Sequence, residues 1–138
     1  MTRQPHENLL AWQKAMDLVV AVYDVTKRFP ADERFALTDQ IRRAVVSIPS
    51  NIAEGNGRES DRASLQFCLI AHGSLREVET QIQIAHRLGY IDDSRLVDLR
   101  QRCGDAGGPL RGLIAHLRRR IGARDVQEDE SIAYDANS

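Results

Sequence analysis

The residues that could perform acid–base chemistry are few in this sequence. Glu77, Glu79 and His86 offer carboxylates and an imidazole, the groups most often used as general acids and bases. All three fit ordinary solvated positions on one predicted helix. We therefore expect no catalytic residue, and a protein that is not an enzyme.

The residues that could bind a metal are Cys68 and His72, one helical turn apart, and Cys103, which could face them from another helix. Cysteine and histidine are typical zinc ligands, but a buried cysteine more often acts as a small apolar side chain. A di-iron site in a helix bundle uses Glu-x-x-His pairs. The corresponding place reads Gln83-Ile84-Ala85-His86, which lacks the acidic ligand. We expect no metal and no cofactor.

Arginine supplies 17 of the 19 basic side chains, and its planar guanidinium suits pairing with carboxylate or phosphate. The net charge of −1 is unevenly placed: residues 1–121 carry 18 basic and 15 acidic side chains, whereas residues 122–138 carry one basic and five acidic ones. An oligomer of the basic body would attract phosphates more strongly than a monomer. The predicted phosphate contacts are Arg34, Arg42, Arg58, Arg62, Arg118, Arg119 and Arg120.

Two functional hypotheses remain open for these arginines. The first is binding to RNA or DNA without sequence preference. Against it stand a sequence pI of about 6.4 and an aromatic content of 5%, which leaves few side chains on which bases could stack. The second is an interaction scaffold that binds a partner protein and has no direct role with nucleic acid.

The most informative stretch runs from Gln40 to Arg58. At about 100° per residue, its apolar and polar residues fall on opposite sides of a helix. Pro49 lies inside this helix, where it lacks a backbone donor, and therefore predicts a kink. Gly55-Asn56-Gly57 is predicted to close the helix with a left-handed cap. The apolar stripe consists of Ile41, Val45, Ile48 and Ile52.

The polar side of this stretch is predicted to lie at a subunit interface. Its side chains are expected to form a hydrogen-bonded ladder, extended by Arg58. This ladder is predicted to donate hydrogen bonds to the carbonyl groups that lose their helical donor at Pro49. If the ladder faced water, its ion pairs would contribute at most ~1 kcal/mol each to stability. At a subunit interface they would be desolvated and would fix the register of the two subunits. The residues assigned to this motif are Arg43, Ser47, Pro49, Ser50, Asn51 and Glu54.

Apolar periodicity predicts helices and no strand. The first helix is expected from about Asn8 to Arg28, and the third from Ser60, its N-cap, to Leu88. Phe35, Leu37 and Ile41 are expected to lead the second helix into the stretch described above. The apolar row of a fourth predicted helix ends at residue 121. The first helix carries two adjacent apolar rows, which favours an oligomer over a monomer.

These elements predict an all-α, up-down-up-down four-helix bundle. It comprises an N-terminal arm (1–8), the bundle (9–121) and an acidic disordered tail (122–138). Gly73-Ser74 is interpreted as a place where another backbone comes close. Gly107-Gly108-Pro109 is expected to bend or break the fourth helix.

The expected location is the cytoplasm. The two cysteines lie in helical patterns rather than in a disulfide framework, and the N-terminus has no apolar signal segment. The longest apolar run is too short to span a membrane, so no membrane partner is expected.

Several segments resemble one protein family. They are Leu10-Ala11-Trp12-Gln13-Lys14-Ala15-Met16, Leu37-Thr38-Asp39-Gln40-Ile41-Arg42-Arg43-Ala44, Ser47-Ile48-Pro49-Ser50-Asn51-Ile52-Ala53-Glu54-Gly55 and Ile70-Ala71-His72-Gly73-Ser74-Leu75-Arg76-Glu77. Over about residues 9–121 the chain resembles the four-helix-bundle proteins encoded in intervening sequences of bacterial 23S ribosomal RNA genes. The resemblance implies a homopentameric barrel with a central channel. It also implies kinship with the accessory protein of diversity-generating retroelements, which associates with a reverse transcriptase and nucleic acid.

Overall fold

The computed structural model describes His6 and residues 9–137, with side chains as far as residue 133. The predicted N-terminal arm lies almost entirely outside the described residues. The described part contains no strand. Its helices are α1 (Leu10–Thr26), α2 (Leu37–Asn56), α3 (Asp61–Arg87) and α4 (Asp93–Asn137), with a short 3₁₀ helix at Ala31–Glu33 between the first two.

The four helices form the predicted bundle. Each helix packs against the next one along the chain, and α4 closes the bundle by packing against α1. Within the described residues, the backbones of the diagonal pairs α1–α3 and α2–α4 lie further apart, with no two Cα atoms within 8 Å of each other. Short connections therefore place sequence neighbours side by side, as in an up-down bundle.

The core is built from one apolar stripe of each helix. The predicted stripe of α2 is buried, and so is the whole row Cys68, Ala71, Leu75, Val78, Ile82 and Ala85 of α3. The buried residues of α4 run from Leu96 to Leu117. Helical periodicity thus identified the core stripes of α2 and α3 correctly, because burial of a stripe is the main source of helix stability in a protein.

The start of α2 differs from the expectation. Phe35 does not lead this helix into the core but lies outside it and is 87% exposed, the highest value among the large apolar side chains described. Leu37 and Ile41 are buried as predicted. The reason is the backbone at Ala36, whose φ of −122° and ψ of −107° are not helical. The apolar pattern of α2 therefore begins after that residue.

The ends of α3 follow the expected chemistry. The Ser60 hydroxyl accepts a hydrogen bond from the amide of Ala63 at 3.1 Å, which confirms the predicted N-cap. At the other end Gly89 has a φ of +79°, and the amide of Tyr90 donates to the carbonyl of Ala85 at 2.9 Å. This six-residue closure requires the left-handed conformation that glycine adopts without strain.

The prolines do not interrupt their helices. Pro49 lies within the continuous α2 and Pro109 within the continuous α4, so the predicted break at Gly107-Gly108-Pro109 is wrong. Gly107 is buried, and a Cβ built on it would lie 3.2 Å from a methyl carbon of Leu75. Packing of α4 onto α3 therefore continues across the segment and outweighs its weak local propensity.

The helix also continues through the segment predicted to be a disordered tail. Residues 122–137 belong to α4 and extend it by about 24 Å. The residues from 122 to 133 are all exposed, so burial does not order them. Ion pairs between Asp125 and Arg62 and between Arg124 and Asp61 join the first turn of this extension to α3. The sequence pattern could not show these partners.

The predicted close approach at Gly73 is also wrong, because a Cβ there would meet nothing within 4 Å. The close approach lies at Gly55, where a Cβ would be 3.0 Å from Cβ of Phe67 and 3.1 Å from the carbonyl oxygen of Ser64. The left-handed cap is likewise absent: α2 ends at Gly57 with a φ of −85°. Gly55 is therefore a packing residue that lets α3 approach α2.

We expect Gly55→Ala to destabilise the bundle by about 1–3 kcal/mol, because the added methyl group meets backbone and a Cβ atom that cannot move independently. Gly73→Ala is the matched control. Its Cβ enters open space inside a helix, and we expect up to about 1 kcal/mol of stabilisation. Urea unfolding followed by circular dichroism measures both. Equal midpoints for Gly55→Ala and the wild type would contradict this packing role.

Candidate functional site

The polar face of α2 joins this helix to α3 at one point. The hydroxyl oxygens of Ser47 and Ser74 lie 2.9 Å apart. The amide of Asn51 donates to both the hydroxyl and the carbonyl oxygen of Ser47, at 2.9 and 2.8 Å. These three half-buried residues form a small network, named here the serine–asparagine network.

The rest of the predicted ladder is divided into separate contacts. Arg43 pairs with Asp39 at 3.0 Å within α2, and Arg58, two residues beyond the end of α2, pairs with Glu54 at 3.0 Å. The hydroxyl of Ser50 donates to the carbonyl of Val46 at 2.8 Å.

The ladder is therefore not continuous, because spacing of four residues favours pairs along one helix. Its side chains also bind the carbonyls of Val46 and Ser47, and not the Val45 carbonyl that Pro49 leaves without its helical donor. The prediction that the ladder donates to the carbonyl left without its donor is wrong.

Two of the predicted phosphate contacts also make contacts within the bundle. Arg42 donates to the hydroxyl of Thr26 at 2.8 Å, and its guanidinium lies 4.7 Å from the ring centroid of Tyr23. Arg58 lies 4.7 Å from the ring centroid of Phe67 in addition to its bond with Glu54. The guanidinium of Arg42 thus connects α2 to α1 through an aromatic ring, and that of Arg58 connects the segment after α2 to α3.

Arg62 and Arg120 belong to an ion-pair cluster between the start of α3 and the extension of α4. Arg62 binds both carboxylate oxygens of Asp125, at 2.7 and 2.9 Å. Arg120 and Arg124 both contact Asp61, at 3.2 and 3.4 Å. Asp61 is in the first turn of α3, where the helix dipole favours negative charge, and its side chain is only 15% exposed. We call these five residues the α3–α4 ion-pair cluster.

Arg118 and Arg119 lie in a different setting. Together with Arg111, which the sequence analysis missed, they line a groove of about 540 Å³ between α3 and α4, called here the arginine groove. None of the three forms an ion pair within the described residues. The remaining lining residues are Leu69, His72, Ile114 and Ala115, so the groove contains no carboxylate.

Arg111 could have been found from its spacing. Seven residues separate it from Arg118, which places both on the same side of an α-helix. Its guanidinium lies back over Gly107, where a Cβ would be 2.9 Å from Nη1. The missing side chain at Gly107 therefore gives this arginine room along the groove.

Arg34, the remaining predicted contact, lies far from the arginine groove. Its guanidinium lies 5.4 Å from the ring centroid of Phe35, in the connection between α1 and α2. Helix α4 starts at the same end of the bundle as Phe35, and Arg111 lies 18 residues further along it. The arginine groove is therefore about 27 Å from Arg34 along the helix axis.

The candidate catalytic residues do not converge. Glu77 accepts a hydrogen bond from Gln81, Glu79 is 3.8 Å from Arg76, and His86 is 2.7 Å from Asp93. Spacing along α3 explains this separation, because each side chain finds a partner about one turn away on α3 or at the start of α4.

The candidate metal ligands do not form a site either. Among the described residues, no group of three or more histidine, cysteine, aspartate or glutamate side chains could hold a metal ion. Burial raises the pKa of Cys68, and burial together with the Glu79 carboxylate raises the pKa of Cys103 to about 12. Burial thus makes both thiols harder to ionise than an ordinary cysteine. In the described part of the chain, no helix has the length and apolar character to cross a membrane.

Residues 7–112 match the family model described as 23S rRNA-intervening sequence protein. The chain belongs to this family. No curated protein matches the sequence. Arg118, Arg119 and the extension of α4 lie beyond the part of the chain that matches the family model.

A solved structure shows the same fold. It is the 1.70 Å crystal structure of a protein with unknown function from the S23 ribosomal protein family of Bacteroides thetaiotaomicron VPI-5482. The two chains are 21% identical and align with a TM-score of 0.70 over 75% of this chain and 97% of that one.

We expect Asp61→Ala to loosen the extension of α4, because Arg120 and Arg124 both lose their partner. Surface ion pairs contribute up to about 1 kcal/mol each, so amide hydrogen exchange in residues 122–133 should become severalfold faster while the core of the bundle keeps its protection. Asp98→Ala is the control, since it breaks only the pair with Arg102 inside α4. Unchanged exchange in Asp61→Ala would show that the cluster does not order the extension.

Proposed function

We propose that this protein is a non-enzymatic bundle protein that binds the phosphate backbone of nucleic acid in the arginine groove. The observation that carries the proposal is the set of three arginines, Arg111, Arg118 and Arg119, gathered in one groove without a carboxylate. Guanidinium groups in such a set attract polyanions and can bind phosphate oxygens through two parallel hydrogen bonds.

The contrast with other arginines of the bundle supports this proposal. Arg43, Arg58, Arg76, Arg95 and Arg102 each pair with a carboxylate three or four residues away in the sequence. Such pairs partly cancel the field of the guanidinium. Arg111, Arg118 and Arg119 keep their full charge, and their mutual repulsion is relieved when an anion binds between them.

The lining of the groove predicts the kind of binding. Arginine supplies most of its charge and hydrogen-bond donors, and Leu69, Ile114 and Ala115 offer only apolar contacts. Contacts to phosphates position a protein on nucleic acid without reading sequence. The proposed binding is therefore tolerant of sequence and strongly dependent on salt.

The proposal includes a homopentamer, the assembly that the family resemblance implies. Exposed apolar side chains on the outer surface of α2 and α3, Val46, Ile70 and Ile84, support contact between copies there. The serine–asparagine network lies on the same surface. Arg43 and Glu54 would be desolvated in such a contact, and their ion pairs would become directional. Five copies would also bring five arginine grooves together.

A second candidate function, a scaffold for a partner protein, has its own supporting observation. A groove between α1 and α4 is lined by Asp17, Asp24 and Asp98, with exposed Val20 among them. Asp98 pairs with Arg102, whereas Asp17 and Asp24 have no ion pair within the described residues. Arg95 and Arg102 also line this groove, paired with Asp92 and Asp98, so its unpaired charges are those of Asp17 and Asp24. Two unpaired carboxylates beside apolar side chains suit a basic amphipathic segment. In either case we place the protein in the cytoplasm, since Cys68 and Cys103 are free thiols.

We expect Arg118→Ala combined with Arg119→Ala to weaken binding to a short single-stranded RNA about tenfold at low salt, because two phosphate contacts are lost. The slope of log affinity against log salt should become shallower by about 1.4. Fluorescence anisotropy at several salt concentrations measures both quantities. Arg102→Ala on the same helix is the control, because its partner is Asp98. If the double variant has the affinity and the salt slope of the wild type, the arginine groove is not the binding site.

Light scattering should give a mass near five times the 15.5 kDa of one chain. The mass should rise with RNA at low salt and fall back at high salt. Arg43→Ala or Glu54→Ala should lower the mass of the free protein, because each removes one ion pair of the proposed contact surface. Arg102→Ala on α4 should leave it unchanged. A monomeric wild type would contradict the assembly, and a pentamer indifferent to RNA would favour the scaffold.

A further inference from the structure

A second groove lies between α3 and α4, nearer to the connection that joins these helices. Its volume is about 690 Å³, and its charged lining consists of Arg76, Arg87, Arg100 and the carboxylate of Glu79. Glu79 lies 3.8 Å from Arg76. Arg87 and Arg100 form no ion pair within the described residues. We call this second groove the Arg100 groove.

A neutral side chain holds Arg100 in place. With the Gln83 amide oriented so that its oxygen faces Arg100, this oxygen accepts hydrogen bonds from Nη2 at 2.9 Å and from Nε at 3.0 Å. Two bonds to one guanidinium fix its position, and an amide has no charge that could cancel the charge of the arginine. Arg100 is therefore ordered and still fully charged, unlike Arg102, which pairs with Asp98.

The Arg100 groove and the arginine groove adjoin at Gly107. A Cβ on this glycine would lie 3.2 Å from a methyl carbon of Leu75 on α3 and 2.9 Å from Nη1 of Arg111. Arg76, which follows Leu75, lines the Arg100 groove, and Arg111 lines the arginine groove. The guanidinium of Arg111 thus lies about 10 Å along α4 from the level of Arg100, seven residues away.

Positive charge dominates the lining of the two grooves. Among the described residues that line them, Glu79 supplies the only carboxylate. Three further carboxylates, those of Glu77, Asp93 and Asp105, lie on the same stretch of α3 and α4 but line neither groove. Even with these counted, six guanidinium groups oppose four carboxylates, so the surface attracts a polyanion. The six are Arg76, Arg87, Arg100, Arg111, Arg118 and Arg119.

We propose that the two grooves form one track that binds successive phosphates of a single strand of nucleic acid. The proposal rests on the proposed function, because the arginine groove is one half of the track. It adds Arg76, Arg87 and Arg100 to the binding surface and specifies the form of the nucleic acid.

The length of the track favours a single strand over a duplex. Arg100 and Arg118 are 18 residues apart on one helix, which corresponds to about 27 Å in a nearly straight line. A DNA duplex completes a turn in about 34 Å, so over that distance each of its backbones winds away from a straight line of contacts. A single strand is flexible enough to follow the track.

The lining of the Arg100 groove is a poorer fit to an acidic protein. Protein interfaces depend on apolar and aromatic anchors that enter well-packed pockets. The apolar side chains in this lining, Ile82 and Cys103, are both buried and leave almost no surface for such an anchor. The groove offers charge and hydrogen-bond donors, which are what phosphates bind.

The first test combines Arg87→Ala with Arg100→Ala in the full chain. The probes are a single-stranded oligonucleotide of about 12 nucleotides, within the range of single-strand site sizes, and a blunt duplex of the same sequence. Anisotropy should show single-strand binding weakened about tenfold at low salt, with a salt slope shallower by about 1.4, because two phosphate contacts are lost. The wild type should bind the duplex more weakly than the single strand.

The matched control combines Arg95→Ala with Arg102→Ala. It removes the same charge from α4, but from arginines that line the groove between α1 and α4 and pair with carboxylates. This control should bind the single strand like the wild type. Since Arg87 and Arg100 are exposed, the unfolding midpoint of their double variant should stay close to that of the wild type.

A second variant, Gln83→Glu, keeps every arginine but places a carboxylate against Arg100. It should weaken single-strand binding severalfold and make the salt slope shallower by about 0.7, because one guanidinium is neutralised. Gln83→Ala leaves the charge of Arg100 in place and should retain the slope of the wild type.

The outcomes separate this inference from the proposed function. If the Arg118 and Arg119 substitutions weaken binding but the Arg87 and Arg100 substitutions do not, the arginine groove stands and the track is overturned. A duplex bound as tightly as the single strand also overturns the track. If polyglutamate displaces the strand as readily as unlabelled strand does, the surface takes an acidic protein and the track is wrong. If the wild type binds neither probe, both proposals are wrong.

Discussion

The structure depends on the burial of one apolar stripe from each of four helices in a common core. On α4 the inward side chains Leu110, Ile114 and Leu117 follow the helical repeat. Once these residues face the core, Arg111, Arg118 and Arg119, each displaced by one residue or two along the helix, must face outward. The same constraint that stabilises the bundle therefore places the arginine groove on its surface. No separate interaction is needed to gather these cations.

Arginine has several roles in this bundle besides the ion pairs between α3 and α4, and its surroundings decide which one it takes. A carboxylate one turn away gives an exposed pair, as for Arg102 with Asp98. An aromatic ring on the neighbouring helix gives an interhelical contact, as for Arg42 over Tyr23. Where neither is present, as for Arg118, the charge stays available for a ligand. Counting arginines thus says little about function until their partners are known.

The extension of α4 illustrates a helix that continues beyond its core. A helical segment without a buried face is only marginally stable in water. Here the α3–α4 ion-pair cluster joins its first turn to the bundle, with Asp61 at the start of α3 as the residue that two arginines share. Such a junction is sensitive to salt and to competing anions, since its charges are mostly exposed. The extension and the arginine groove therefore respond to the same ionic conditions.

Sequence periodicity determined the four helices and the core stripes of α2, α3 and most of α4, and the type of residue at position 60 indicated the N-cap. These are readable because they depend on residues a few positions apart on one helix. Tertiary structure decided which arginines are free, since Arg62 finds Asp125 63 positions further along the chain. It also decided that Gly55, and not Gly73, permits close packing, and that helices continue through Pro49 and Pro109. Finally, the non-helical backbone at Ala36 turned Phe35 outward, against an apolar pattern that predicted burial. In each case the deciding contact lies on another helix or in a local backbone angle, which no spacing along one helix can reveal.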